Sequence, residues 1–280
     1  MKHRLKMKKQ TFSSNIKDAF NICKKNKSLF LLSVCLELFF IVVLAVAHLW
    51  ILSAAKDSIA KIMSLVQESV GALAQADAVS GVSPDLFKTP ELMVEYHILL
   101  KYLFILFAVF VVVWVLFKGI NWFIARRMFK KIEFKRFLRS FAEYSLLSFF
   151  CGFVWFILIM RLISYSTFSF LPLISTGMSR FLLFAGFAVL AYFMFIAYSL
   201  IPFSGCKIIC RFGVKNWRKL IPAYLVWLVS LFILSYLTVW VIQFSFWAPV
   251  FFGLFITLPA VVFGRIYILV VINKLLKRGR

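Results

Sequence analysis

Apolar residues run along this chain in blocks far longer than a soluble core needs. Six blocks reach the roughly 20 residues that cross a hydrocarbon layer as helix: about 29–53, 99–125, 144–165, 181–206, 221–242 and 248–272. Backbone groups in lipid need partners within their own segment, so each block is expected to be a helix. The period-two alternation of a lipid-facing barrel strand is absent. Arg161 interrupts the third block near one end. Only "QFSFW" separates the fifth block from the sixth, where Pro249 suits a first helical turn. The fold expected is an all-α integral membrane protein of six transmembrane helices, paired as three hairpins.

Between the first two blocks lies the one long polar stretch, residues 54–98. Ile59, Ile62, Met63, Val66, Val70 and Leu73 recur there at helical spacing, which predicts an amphipathic helix. "SGVSPDLFK" reads as a turn. Thr89 and Pro90 then form the N-cap and first position of a second helix. The outer loop is thus two helical arms, which pair with each other, lie on the membrane surface or hold a partner.

Composition agrees with this pattern. The chain is 63% hydrophobic and 15% charged, against about half and a quarter in soluble domains. The net charge of +23 is therefore expected to meet a membrane surface, not nucleic acid. Of 33 basic residues, 25 fall in residues 1–28, 126–139, 207–219 and 274–280, and six crossings put all four segments on one side. By the positive-inside rule that side is cytoplasmic, and so are both termini. The chain divides into a basic amphipathic segment (1–28), a six-helix membrane domain (29–272) and a basic tail (273–280). The opening segment has no apolar stretch in 28 residues and does not read as a cleaved signal peptide.

"RRMFKKIEFKRFLR", residues 126–139, sets seven bases among apolar side chains. It reads as the first cytoplasmic loop, with Arg126, Arg127, Lys130, Lys131, Lys135, Arg136 and Arg139 on anionic inner-leaflet lipid and its Phe and Met dipping into the headgroup boundary. The expected partners are membrane lipids. Three lead-ins look alike: "KKNKSLFLLSVCLELFF", "FKRFLRSFAEYSLLSFF" and "VKNWRKLIPAYLVWLVSLF". They read either as a threefold repeat or as what basic inner ends and Phe/Leu-rich helices produce unaided.

Ionisable groups within spans suggest function. Glu37, Lys118 and Arg265 each lie eight or nine residues from the basic end of a span, about 12 Å deep at 1.5 Å per residue. Tyr198 shares that depth. Either Glu37 neutralises one base while the other snorkels, or the excess positive charge binds an anion such as a lipid headgroup. Arg265 is the preferred partner of Glu37, because a guanidinium binds a carboxylate with two hydrogen bonds. No cofactor is implied. His48 and His97 are too few for a metal site, and Cys206 and Cys210 read as apolar filling. No nucleotide, hydrolase or metalloprotease motif is present. The function expected is transport or handling of a lipid or other anionic molecule. The alternative is a membrane scaffold or accessory subunit that binds a partner through the outer arms or the basic face.

Overall fold

In a computed structural model, the structure describes residues 12–76, 90–168, 176–201, 205–241, 243, 245 and 247–278. All regular structure among them is helical: α1 (Phe12–Lys25), α2 (Lys27–Ala76), α3 (Pro90–Val113), a π-helical segment (Trp114–Lys118), α4 (Gly119–Arg127), α5 (Phe134–Phe168), α6 (Thr176–Leu200), α7 (Cys206–Lys215), α8 (Trp217–Val241), α9 (Ala248–Phe252), a second π segment (Gly253–Thr257) and α10 (Leu258–Arg278). Among the described residues six helical stretches are long and apolar enough to cross a membrane: Lys27–Glu68, Pro90–Arg127, Phe134–Leu162, Gly177–Leu200, Trp217–Val241 and Ala248–Lys277. Six apolar helices of this length suggest a multi-pass membrane protein, as the apolar blocks predict.

The helices outrun those blocks. The 50 residues of α2 would measure about 75 Å, more than twice the hydrocarbon thickness of about 30 Å. The amphipathic stretch after the first apolar block is one helix with that block. The α3 helix starts at Pro90; Thr89 and the turn before it lie outside the described residues. The basic segment 126–139 is mostly helical rather than a loop: α4 runs to Arg127 and α5 starts at Phe134. The fourth crossing ends at Leu200, and 206–215 form a separate short helix, α7, where the apolar pattern predicts a span end and a basic loop. Along α7 Ile209 and Gly213 are buried, while Ile208, Val214, Cys206 and Cys210 are exposed. The two cysteines are therefore surface groups, not apolar filling.

The chain forms two compact units. In the first, residues 1–38 and 115–280, α10 is the central helix. In its most apolar window 61% of residues are buried, against 17% or less in each other span. Val262, Ile266, Leu269 and Ile272 are fully enclosed, by α1, α4, α6 and α8. The α5 helix packs along α6. A helix apolar on every side belongs in a core, and α10 is the span that fills this one. Glycine permits two of the closest approaches: a Cβ on Gly264 would overlap the Trp227 indole, and one on Gly186 would overlap that of Trp155. Small residues serve the same purpose wherever membrane helices pack closely.

The second unit, residues 39–114, pairs parts of α2 and α3. In this unit the buried and half-buried positions of α2 include Phe40, Leu44, Ala47, Ile51, Ala55, Ser58, Ile59, Ile62 and Leu65. On α3 they include Leu92, Glu95, Leu99, Tyr102, Leu106, Val109 and Val113, with Ile98, Ile105, Phe110 and Val111 half-buried beside them. Their spacing lines a seam along one side of each helix. Lys61 Nζ donates to Glu95 Oε1 across it at 3.0 Å, and Phe40 meets Trp114 edge-on at 6.0 Å. The seam differs from the expected apolar face: Met63 and Val66 are exposed. The side chains of Val70 and Leu73 lie outside the described residues.

Candidate functional site: a buried ion cluster

Glu37 lies on α2 within the first unit. It is flanked by apolar Leu36 and Leu38 and buried, with 2% of its side chain exposed. A lone carboxylate there would be costly. Two bases offset the cost. Lys118 Nζ donates to Glu37 Oε2, and Arg265 Nη2 donates to Glu37 Oε1. Their side chains are 14% and 5% exposed. Both bases meet the carboxylate, so the expectation that one would snorkel away is corrected. The reason is geometric: the two oxygens of one carboxylate serve two donors arriving from different helices.

Local structure sets each group. Lys118 closes the π segment Trp114–Lys118. A π turn holds an extra residue per turn and rotates the rest of the helix beyond it, and such turns often mark functional positions. Arg265 comes directly after Gly264, whose missing side chain makes room for Trp227, on the most enclosed helix. Its guanidinium carbon also lies 5.4 Å from the Trp122 ring centroid, a cation–π distance.

A second polar contact lies beside the first. Ser33 Oγ donates to Asn121 Oδ1 at 2.7 Å, and both residues are fully buried. Ser33 is four residues before Glu37 and Asn121 three after Lys118, so both pairs use the same faces of α2 and α4. Sequence reading missed Ser33, Asn121 and Trp122. The i, i+4 and i, i+3 spacing was the available signal, but polar and aromatic residues are too common for it to single them out.

Tyr198 joins at one remove. Its hydroxyl shares a 2.8 Å hydrogen bond with Ser145. Its ring stacks on Phe141 at 4.2 Å and lies 5.6 Å from Trp122, the ring beneath Arg265. Two buried donors near these contacts have no acceptor among the described residues: Arg265 Nη1 and Asn121 Nδ2. With all three groups ionised, Glu37, Lys118 and Arg265 carry a formal charge of +1.

The seven bases expected on lipid separate. Arg127, Lys130, Lys131, Lys135, Arg136 and Arg139 are exposed. Arg126 is buried and donates from Nη1 to the Ser199 carbonyl and from Nη2 to the Ile201 carbonyl, the latter at 2.6 Å. These carbonyls lie at the end of α6, where a helix lacks internal donors, so Arg126 is a helix cap rather than a lipid contact. The aromatics divide too. Phe137 is fully buried, near Phe123 and Phe141, while Phe134 keeps an exposed face.

Among the described residues no group of three or more His, Cys, Asp or Glu is placed to hold a metal. His48 and His97 are both exposed, and His97 Nδ1 lies 2.6 Å from the Met93 carbonyl of its own helix. No family model, curated protein or solved structure matches the chain.

Proposed function

We propose that this chain is a multi-pass protein of the cell membrane with both ends in the cytoplasm. We propose further that it moves or holds a lipid or other anionic amphipath through the basic site around Glu37, Lys118 and Arg265. The asymmetry of basic residues supports the orientation, placing the site in the inner leaflet. One observation carries the functional reading. Two bases face one acid inside the helices, and Arg265 Nη1 and Asn121 Nδ2 are buried donors without acceptors among the described residues. A buried donor left unsatisfied costs about 1–3 kcal/mol, and more when charged. An oxyanion with its negative charge near these groups would remove that cost and balance the extra positive charge.

The test is reconstitution into liposomes with a fluorescent phosphatidylglycerol, reading its passage between leaflets. Protein-dependent passage, lost in Lys118→Met and Arg265→Met variants that still fold, is the expected result. Passage no faster than in empty liposomes would reject the transport reading.

A second reading has its own support. The seam between α2 and α3 continues past any hydrocarbon layer, and Met63, Val94 and Tyr96 stand exposed along these helices. An accessory or scaffold subunit would hold a partner there. Cross-linking in intact membranes from Met63→Cys should then capture a defined second protein. Recovery of uncross-linked chain alone would reject this reading.

A further inference from the structure

A groove of about 350 Å³ lies between α1 and the end of α10, apart from the Glu37 cluster. Ile22, Phe129 and Val270 give it an apolar floor, and Asn21, Asn273, Lys274 and Lys277 give it a polar wall. We propose that this groove seats the headgroup of an anionic glycerophospholipid, with the phosphodiester on the lysine side and the glycerol and first acyl carbons on the floor.

Three features support the assignment. The first is unused donor capacity. Lys274 is engaged by Asp18 and by Asn15, the latter at 2.8 Å, whereas the side chains of Asn21, Asn273 and Lys277 have no hydrogen-bond partner among the described residues. Two amides and an ammonium suit the several oxygens of a phosphate ester. The second feature is charge. Asp18 belongs to the groove and opposes an anion, but Lys274 and Lys277 outnumber it. Lys24 and Lys25 lie one turn beyond Asn21, and Lys130 adjoins Phe129. The third feature is the surface around the groove. Phe20, beside Asn21, is 60% exposed, and Phe12 is 49% exposed, while Ala19 and Cys23 on the same helix are buried. A helix with one packed face and exposed Phe among lysines suits the membrane interface. A dissolved phosphate has no use for the apolar floor, and a lipid does.

The experiment is native mass spectrometry of the full chain from micelles doped with dioleoylphosphatidylglycerol or dioleoylphosphatidylcholine. The wild type is expected to retain phosphatidylglycerol in preference. Lys277→Gln combined with Asn273→Ala should weaken retention by about tenfold, as for loss of one charge-assisted contact. Lys207→Gln on α7 serves as a charge-matched control and should retain lipid like the wild type. Undiminished retention by the double variant would overturn the proposal. So would displacement of the lipid by millimolar inorganic phosphate, which would make the groove a site for free phosphate. The same measurement in a Lys118→Met background, where the Glu37 cluster no longer carries its extra charge, counts lipid in the groove apart from lipid at that cluster, so failure of either reading leaves the other standing.

Discussion

Glu37 and Arg265, 228 positions apart, form an ion pair with 2% and 5% of their side chains exposed. Lys118 completes the cluster from a third stretch of chain. Removing one partner of a buried pair leaves an uncompensated charge, which costs roughly 3–5 kcal/mol. Glu37→Gln strands two bases and should destabilise the protein by at least that much. Double-mutant cycles with Arg265→Met and with Lys118→Met, read by thermal unfolding in detergent, should both show coupling above about 1 kcal/mol. Additive losses in both cycles would mean that the acid pairs with neither base.

Arg126 and Arg127 are neighbours with unlike roles. Arg126→Gln removes donors from the carbonyls of Ser199 and Ile201 and should cost about 1–3 kcal/mol or more. Arg127 is exposed, so Arg127→Gln should stay within about 0.5 kcal/mol of wild type. Equal effects in a thermal-shift assay would contradict the capping role.

The paired arms supply a contrast between apolar and ionic contacts. Lys61 is 66% exposed in its pair with Glu95, and such pairs are worth at most about 1 kcal/mol. Leu92 is buried, so Leu92→Ala should cost about 2 kcal/mol or more. Hydrogen exchange across 51–65 should quicken with Leu92→Ala and hardly change with Lys61→Ala. The opposite order would mean that the arms are held by charge.

Burial pushes the Cys23 thiol up to about 11, because an apolar setting disfavours the thiolate. The thiolate is the reactive form. With Cys35, Cys151 and Cys210 replaced by Ser, maleimide at pH 7.5 should label exposed Cys206 and spare Cys23 until the pH nears its raised value or the protein unfolds. Rapid labelling of Cys23 in folded protein at pH 7.5 would show that α1 leaves α10.

The orientation has its own check. In a background without native cysteines, a cysteine replacing Glu68 should react with an impermeant maleimide added outside intact cells, and one replacing Lys131 should not. Labelling at Lys131 would invert the topology.

The number of membrane-length apolar helices and their basic ends were legible in the sequence, because lipid dictates them through length and apolarity without reference to neighbours. That Glu37, Lys118 and Arg265 could meet was legible for the same reason: each lies a similar count of residues from the basic end of its own helix. Contacts are not such a count. Tertiary structure alone decided that one carboxylate serves both bases, that Arg126 turns inward to cap α6 while Arg127 stays outside, and that α10 is the helix enclosed on every side. Phe134 and Phe137 show why. They are the same residue type, one turn apart, and only the packing of α5 on its neighbours exposes one and buries the other. In a chain apolar on nearly every face, hydrophobic periodicity no longer tells a lipid-facing side from a protein-facing one. That choice rests on shape, on a glycine beneath an indole and on a guanidinium between carbonyls, which appear only when distant stretches of chain meet.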